Sequence, residues 1–461
     1  MKEAKYIEID GRTGEGGGQI VRIACALAAV TTQPIRITNI RANREGPRGG
    51  GLKSQHVSSI TWLVSATDAE VSGLAIGSKT LEFRPRRKPS DLEARRFTIA
   101  ADSAAASALL ILQAILPFLV FAGSDRDPDT PIELTVSGGT NVSWSLSFEY
   151  LDQVLLPQLE SFFAGFRIGR RLLKGRGWSQ GKVSRGTVSL TLHPLRPGET
   201  LRARRATDTD DEAYGVEDLE VIAIDVSIIA PLAMHEALME ALVQDLGDLF
   251  PGVDVEFKIT EDSGADSRAY VLLVARSETL RWGRDILTTS SGKGVGASPA
   301  GKKGAAGEKA SANGKGKGNG KSGKAAVFSA SEGIARKVSK ELYAEVSSGG
   351  VVDEFLQDQL VIFQALAEGR SSFPRGGGSV GDGGNPIHQG SQDEAGLEEA
   401  REHLRVDGER MRRDKTHEPF GEGSKHTTTA RWVAAQLLPG VEWYDKGRVC
   451  QGAGTHMEKK I

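Results

Sequence analysis

Glu15 opens a run of glycines, EGGGQIVR over residues 15–22, that leads into an apolar stretch. Consecutive glycines at a helix start leave its free backbone N–H groups open to a ligand, and the helix dipole favours an anion there. The stretch therefore suggests a phosphate or carboxylate site. A carboxylate repels a phosphate unless a cation stands between them, so Glu15 calls for a divalent metal or another positive group. Gln19 and Arg22, three residues apart, can share one helix face near that start. A plain strand-to-helix turn with a solvated Glu15 is the competing reading of the stretch on its own.

A second cluster lies in the loop RANREGPRGGGLKSQHV, which gathers Arg41, Arg44, Arg48, Lys53, Gln55 and His56 among glycines. Guanidinium groups pair with phosphate in a bidentate fork, so such a loop suits a phosphate end, although a solvated basic loop has the same composition. Further candidates are Gln113, the Asp358-Gln359 pair and His426. His426 precedes three threonines able to cap a helix, and a helix start disfavours the charged imidazole, leaving an uncharged nucleophile. A lone histidine is more often structural. HExxH and CxxC spacings are absent, as are GxxxxGK[ST] and GxGxxG in a strand-to-helix context, which argues against a zinc hydrolase and the common nucleotide loops. GxSxG at 377–381 lies in a polar tract without the strand and helix a nucleophile elbow needs.

These groups need a scaffold. The chain has 461 residues, 56 glycines and only 6% aromatic residues, and much of the glycine falls in two tracts. That leaves about 350 residues for folded structure, enough for two domains. A net charge of −2 and a pI near 6.5 argue against a general nucleic-acid coat protein but leave room for local basic sites. Two cysteines make no disulfide framework, which fits a reducing compartment, and with no signal peptide or membrane-spanning run a soluble protein is expected.

Strand, turn and helix alternate from Ile7 to Phe163, which predicts an α/β (α+β) architecture with repeated β-α-β-α-β units. The character changes near Leu190, where an acidic loop and new strands predict a smaller α/β insert domain. Residues 291–324 hold eight lysines, one glutamate and almost no bulky apolar side chain, and are expected to be disordered. The resulting division is 1–188 for the first part of the large domain and 189–285 for the insert. Residues 286–328 form a disordered insertion, and 329–461 complete the large domain around a low-complexity stretch at about 370–424. Within that stretch, DEAGLEEAREHLRVDGERMRRD (393–414) has the composition of a solvated helix.

Taken together, the blocks resemble one family, the RNA 3′-terminal phosphate cyclases. EGGGQIVR, IRANR followed by Gln55-His56, SALLILQAILP (107–117), SGGTN (137–141), DEFLQDQL (353–360), HTTTA (426–430) and CQGAG (450–454) occur in that family's order. The resemblance implies a large domain of three repeated units interrupted by the smaller insert. It also implies that His426 attacks the α-phosphorus of ATP to form a covalent histidyl-AMP. AMP then passes to an RNA 3′-phosphate, and the neighbouring 2′-OH displaces it to leave a 2′,3′-cyclic phosphate. By the same likeness, Gln19, Gln113, Phe355, Asp358 and Gln359 bind the nucleotide, and Glu15 lies near the triphosphate and its metal, magnesium or manganese. Arg22, Arg41, Arg44, Gln55 and His56 would face the phosphates of ATP or the RNA end.

The partner implied is thus an RNA 3′ end and not a membrane. The location implied by the eukaryotic cyclase branch is the nucleus, nucleoplasm or nucleolus, and also the cytoplasm. Some positions depart from the family pattern. Leu146 stands where a proline is usual, Phe355 replaces a tyrosine, Ala105-Ala106-Ser107 replaces AGS, and WSQGKVSRG (178–186) replaces a YPKGGG turn. The same fold resembles cyclase-like ribosome-assembly factors that act in rRNA processing without a nucleophilic histidine. His426 within HTTTA separates this chain from them.

Overall fold

The computed structural model describes residues 5–44, 49–104, 106–205, 214–289, 320–376 and 418–456. Strands β1 (Ile7–Asp10) and β2 (Ile35–Thr38) pair in parallel, from Ile7 opposite Ile35 to Asp10 opposite Thr38. A parallel pair needs a crossover, and helix α1 (Gly18–Thr31) supplies it. Its apolar sequence is buried almost all round, because sheet, α-helices and the C-terminal part of the chain enclose it. Helix α2 (Ser54–Thr67) follows, then the antiparallel strands β3 (Glu70–Ser72) and β4 (Leu81–Arg84), giving the sheet order β1-β2-β4-β3.

The same succession then repeats: β5 (Arg96–Ala100), α3 (Ala108–Val120), β6 (Ile132–Gly138) and α4. The last is one helical run made of Phe148–Tyr150, a π-helical Leu151–Leu155 and Leu156–Phe162. After the short β7 (Phe163–Ala164), strands β8 (Arg167–Gly175) and β9 (Gly186–His193) complete a sheet of order β5-β6-β9-β8. These two units are therefore β-α-β-α-β-β, one strand longer than the alternation predicts. In the first unit the additional strand is β3, three residues with no buried side chain to mark it. Because β9 pairs with β6 from Gly186 to Leu192, this sheet runs past the expected division at 188/189. Trp62 of α2 packs edge-on against Phe97 of β5 and Phe118 of α3, joining the two units.

Strand β10 (Arg202–Ala203) pairs with β7. Beyond it, β11 (Ala223–Ala230), helix α5 (Leu232–Leu249), β12 (Asp254–Asp262), β13 (Ala269–Arg276) and β14 (Arg281–Thr288) form a third four-stranded sheet, order β12-β11-β13-β14. All eight residues of β11 are buried, as a central strand requires. α5 buries Met234, Leu238, Leu242 and Leu246, an i, i+4 stripe, and packs on helix α6 (Gly320–Ser347). The start of α6 at Gly320 and the end of β14 at Thr288 give regular structure to both ends of the stretch expected to be disordered.

Helix α7 (Glu354–Leu366), β15 (Arg370–Ser372), helix α8 (Lys425–Leu437), β16 (Glu442–Tyr444) and β17 (Val449–Gln451) close the chain, with sheet order β15-β17-β16. β15 falls inside the span assigned to low complexity. Its polar Ser371 and Ser372 are buried by pairing with β17, so composition conceals it. The charged 393–414 stretch and the GxSxG match lie outside the described residues. Cys25 and Cys450 are both buried thiols. Among the described residues no helix is long and apolar enough to cross a membrane.

Candidate active site

Helix α8 starts where the hydroxyl of Ser424 accepts the Thr427 N–H, which puts His426 in the first turn. Helix α7 starts on Asp353, whose carboxylate accepts the Phe355 and Leu356 N–H groups. This N-cap orients Asp358 and Gln359 one turn further on. Helix α1 enters through the glycine run, and its loop is tied to α8 by Glu15 N–H donating to Thr429 Oγ1 at 2.9 Å. Three helix segments far apart in sequence thus meet at one place.

Gln19 joins them. Its Nε2 donates to Asp358 Oδ2 at 2.8 Å, and its Oε1 lies 2.9 Å from His426 Nδ1. Asp358 Oδ1 takes a second amide N–H, from Gln359 Nε2 at 2.8 Å. Two amide donors on the two carboxylate oxygens fix which way the Gln19 amide faces. A carbonyl oxygen then meets His426 Nδ1, so Nδ1 donates and the lone pair resides on Nε2. Burial raises the Asp358 pKa, while His426, the Gln359 bond, Arg22 and the Gln19 bond oppose that rise.

Arg22, one turn along α1, donates through Nε to Gln113 Oε1 of α3. Burial pushes Arg22 down to about 10, partly offset by Asp358 and reinforced by Arg41. Arg41 and Lys53 are also lowered by burial. His56 is fully buried and held well below the usual imidazole range, first by burial and then by Arg22, Arg41 and Lys53. Its Nδ1 accepts the Lys53 N–H at 3.0 Å, so the proton sits on Nε2, which is buried and has no partner. A Cβ on Gly18 would lie 2.5 Å from that Nε2 and 2.9 Å from Arg22, which explains the glycine. Gln55 is half-buried in the same turn of α2. A group of cations whose charged forms are disfavoured, beside an unused N–H at a helix start, is arranged for an anion.

Glu15 is nearly buried. Its Oε1 pairs with the half-exposed Arg44, and its Oε2 has no hydrogen-bond partner and lies 3.9 Å from His426 Nδ1. Among the described residues no three His, Cys, Asp or Glu side chains cluster as a metal cage.

From His426 a cleft of about 1010 Å³, open mouth included, runs between α3, α4 and α7. Arg22, Gln113, Asp358, Gln359 and His426 line it at the polar end. Leu109, Leu146, Leu155, Phe355 and Ile362 are among its apolar walls, and Trp144 is 42% exposed along it. An apolar slot with convergent polar groups at one end is the general form of a small-molecule site. Leu146 and Phe355, both departures from the family pattern, thus face the cleft. Ser107, in the third departure, caps α3 by accepting the Leu110 N–H. The Trp178–Gly186 turn crosses beside Asn141, with Ser179 Oγ accepting the Ser143 N–H.

Sequence reasoning grouped the glycine loop, the arginine loop, Gln113, the Asp358-Gln359 pair and His426, and the fold brings their described residues to this region, while Arg48 lies outside the described residues. It missed Asp353 as the cap, Thr429 as the tie and Trp144 along the cleft. The D-E-F-L start of an apolar helix signals the first, and nothing local signals the other two.

Comparison with known proteins shows the family. The family model described as RNA 3′-terminal phosphate cyclase matches residues 13–380, ending before α8. A protein of Methanosarcina mazei named RNA 3′-terminal phosphate cyclase is 34% identical over 373 residues, 80% of this chain and 89% of its own length. Proteins of the same name from Pyrococcus abyssi (32% over 367 residues; 79% and 86%) and Drosophila melanogaster (30% over 383 residues; 82% and 88%) are similarly related. With a family match over most of its length and relatives covering four-fifths of it, the chain belongs to the RNA 3′-terminal phosphate cyclase family.

Proposed function

We propose that the chain converts an RNA 3′-terminal phosphate to a 2′,3′-cyclic phosphate at the expense of ATP, with His426 as nucleophile. The observation that carries the mechanism is the Gln19 bridge between Asp358 and His426 Nδ1. It leaves Nε2 as the attacking atom at the polar end of the cleft between α3, α4 and α7. Nε2 attacks the α-phosphorus, the N–P bond forms, and the bond to the bridging oxygen breaks to release pyrophosphate. The ring becomes cationic, and Gln19 Oε1 keeps hold of the Nδ1 proton while the Glu15 carboxylate stands 3.9 Å away. An oxygen of the RNA 3′-phosphate then takes the AMP from His426. Last, the ribose 2′-OH attacks that phosphorus, loses its proton, and expels AMP.

Each group has a place in this reading. Adenine lies in the apolar slot by Phe355 and Leu146, while Arg22, Arg41, Gln55 and the His56 Nε2–H face phosphate oxygens. Glu15 suits magnesium or manganese, because one carboxylate with an unused oxygen, supplemented by phosphate and water, is an ordinary magnesium environment. Such an ion neutralises charge developing on the phosphates. The cyclase-like, non-catalytic reading gains no particular support from a histidine held in a defined tautomer. A nucleus or cytoplasm assignment rests on the resemblance alone.

Incubation with ATP labelled at the α-phosphorus and magnesium should give an acid-labile covalent adduct in the wild-type protein and none in His426→Ala. An unlabelled wild type, or equal labelling of the variant, overturns the mechanism.

A further inference from the structure

We propose that Arg284, carried by strand β14 of the third sheet, is a positioning residue for the nucleotide: it holds the Phe355 ring in place from behind. This rests on the reading of the cleft as the nucleotide site and adds to it a dependence on a sheet that contributes no lining residue to that cleft.

Three neighbouring residues of β14 grip the start of α7, the helix that bears Phe355, Asp358 and Gln359. Trp282 Nε1 donates to Gly350 O at 2.8 Å, and Gly283 N donates to Asp353 Oδ2 at 2.7 Å. Arg284 Cζ lies 4.6 Å from the Phe355 ring centroid. Arg284 is only 8% exposed, so its guanidinium is fixed by its partners and not by solvent. It pairs with the buried Glu345, and its Nη2 lies 3.5 Å from Glu354. Tyr150 meets the same ring edge-on, at 6.1 Å and 80°. A phenyl ring has no hydroxyl to anchor, so packing alone sets its orientation. The Arg284 guanidinium lies over the ring from a side that the cleft does not supply, while Phe355 itself lines the cleft, so the cation and Tyr150 together fix the ring that a base would meet there.

The arrangement also makes Arg284 replaceable without collapse. Glu345 keeps a second cation, since Arg375 Nε donates to its Oε1 at 2.8 Å and Arg375 Nη2 to its Oε2 at 3.1 Å. Removing Arg284 therefore leaves no unpaired buried carboxylate. A residue that merely cemented the sheet would change melting temperature and leave nucleotide affinity alone. A positioning residue changes the affinity for ATP and leaves the chemical step alone.

The test uses full-length Arg284→Met and Arg284→Lys proteins and the ATP dependence of His426 labelling. In Arg284→Met, the half-saturating ATP concentration should rise about tenfold, in the range of a buried cation–π contact, with the limiting rate within about twofold of wild type. Arg284→Lys, which keeps the charge beside Glu345 but has no plane to stack, should fall between. Unchanged half-saturation in Arg284→Met, or a limiting rate that falls as far as the affinity, overturns the proposal. Should Arg284→Met not fold, wild-type half-saturation in Arg284→Lys overturns it equally. A wild-type protein that takes no label at any ATP concentration fails the nucleotide reading itself, and the proposal falls with it.

Discussion

Gln19 decides more of this site than the residues that flank it. Its amide reads Asp358 on one side and His426 on the other, so one side-chain orientation sets the histidine tautomer. Gln19→Leu keeps nearly the same volume but offers Nδ1 no acceptor and leaves Asp358 Oδ2 one donor short. The rate of His426 labelling at saturating ATP should fall about 10²- to 10³-fold, the scale of losing orientation and tautomer control. A rate equal to wild type would show that the Nδ1 bond is incidental. Apart from the family resemblance, Gln19 stands out in the sequence only as a helix neighbour of Arg22. Its partners lie 339 and 407 residues away, and no spacing rule reaches that far. The glycines and arginines were legible because their chemistry is local. His56 was legible as part of a basic cluster, but its role as a buried neutral donor depends on the Lys53 N–H that claims Nδ1.

Among the elements, α7 has the most to lose at a single position. Asp353 is fully buried and caps the helix with two backbone bonds. The same carboxylate accepts Tyr150 Oη–H and Gly283 N–H, each at 2.7 Å. Asp353→Ala removes the cap, worth about 1 kcal/mol, and strands two buried donors at about 1–3 kcal/mol each. Asp353→Ala should therefore lose about 3–7 kcal/mol in denaturant titration, with β14 and α7 loosening together; a loss below about 1 kcal/mol would mean that water replaces the carboxylate. A Cβ on Gly283 would lie 2.6 Å from Tyr150 Cε2, so β14 approaches α4 as closely as backbone allows. Apolar content marked α1 and α3, because nearly every side of both helices is buried. It could not mark β3 or β15, three residues each, whose existence depends on a partner strand.

At the scale of the molecule, the site is made by closing the chain's two ends on each other. The α1 loop and α8 touch through Glu15 and Thr429, and α7 comes between them with Asp358. A site so assembled tolerates length changes in the connections as long as the helices still dock, because loop-closure entropy grows only slowly with length. The two polar tracts, 290–319 and 377–417, fall outside the described residues; along the chain the first joins β14 to α6 and the second joins β15 to α8. The first has lysine and glycine in place of core-forming residues. Replacing 291–319 with about a dozen glycine and serine residues should therefore leave both the melting temperature and the labelling of His426 within error of wild type. The helix start at Gly320 sets the limit of that replacement, since α6 packs on α5 and on β13 and β14, the strand that carries Arg284. A large loss of melting temperature would mean that the tract packs on the fold. Retained stability with lost labelling would mean that its lysines serve the reaction, and RNA cyclisation measured with the same protein would then locate them at the RNA step or the ATP step.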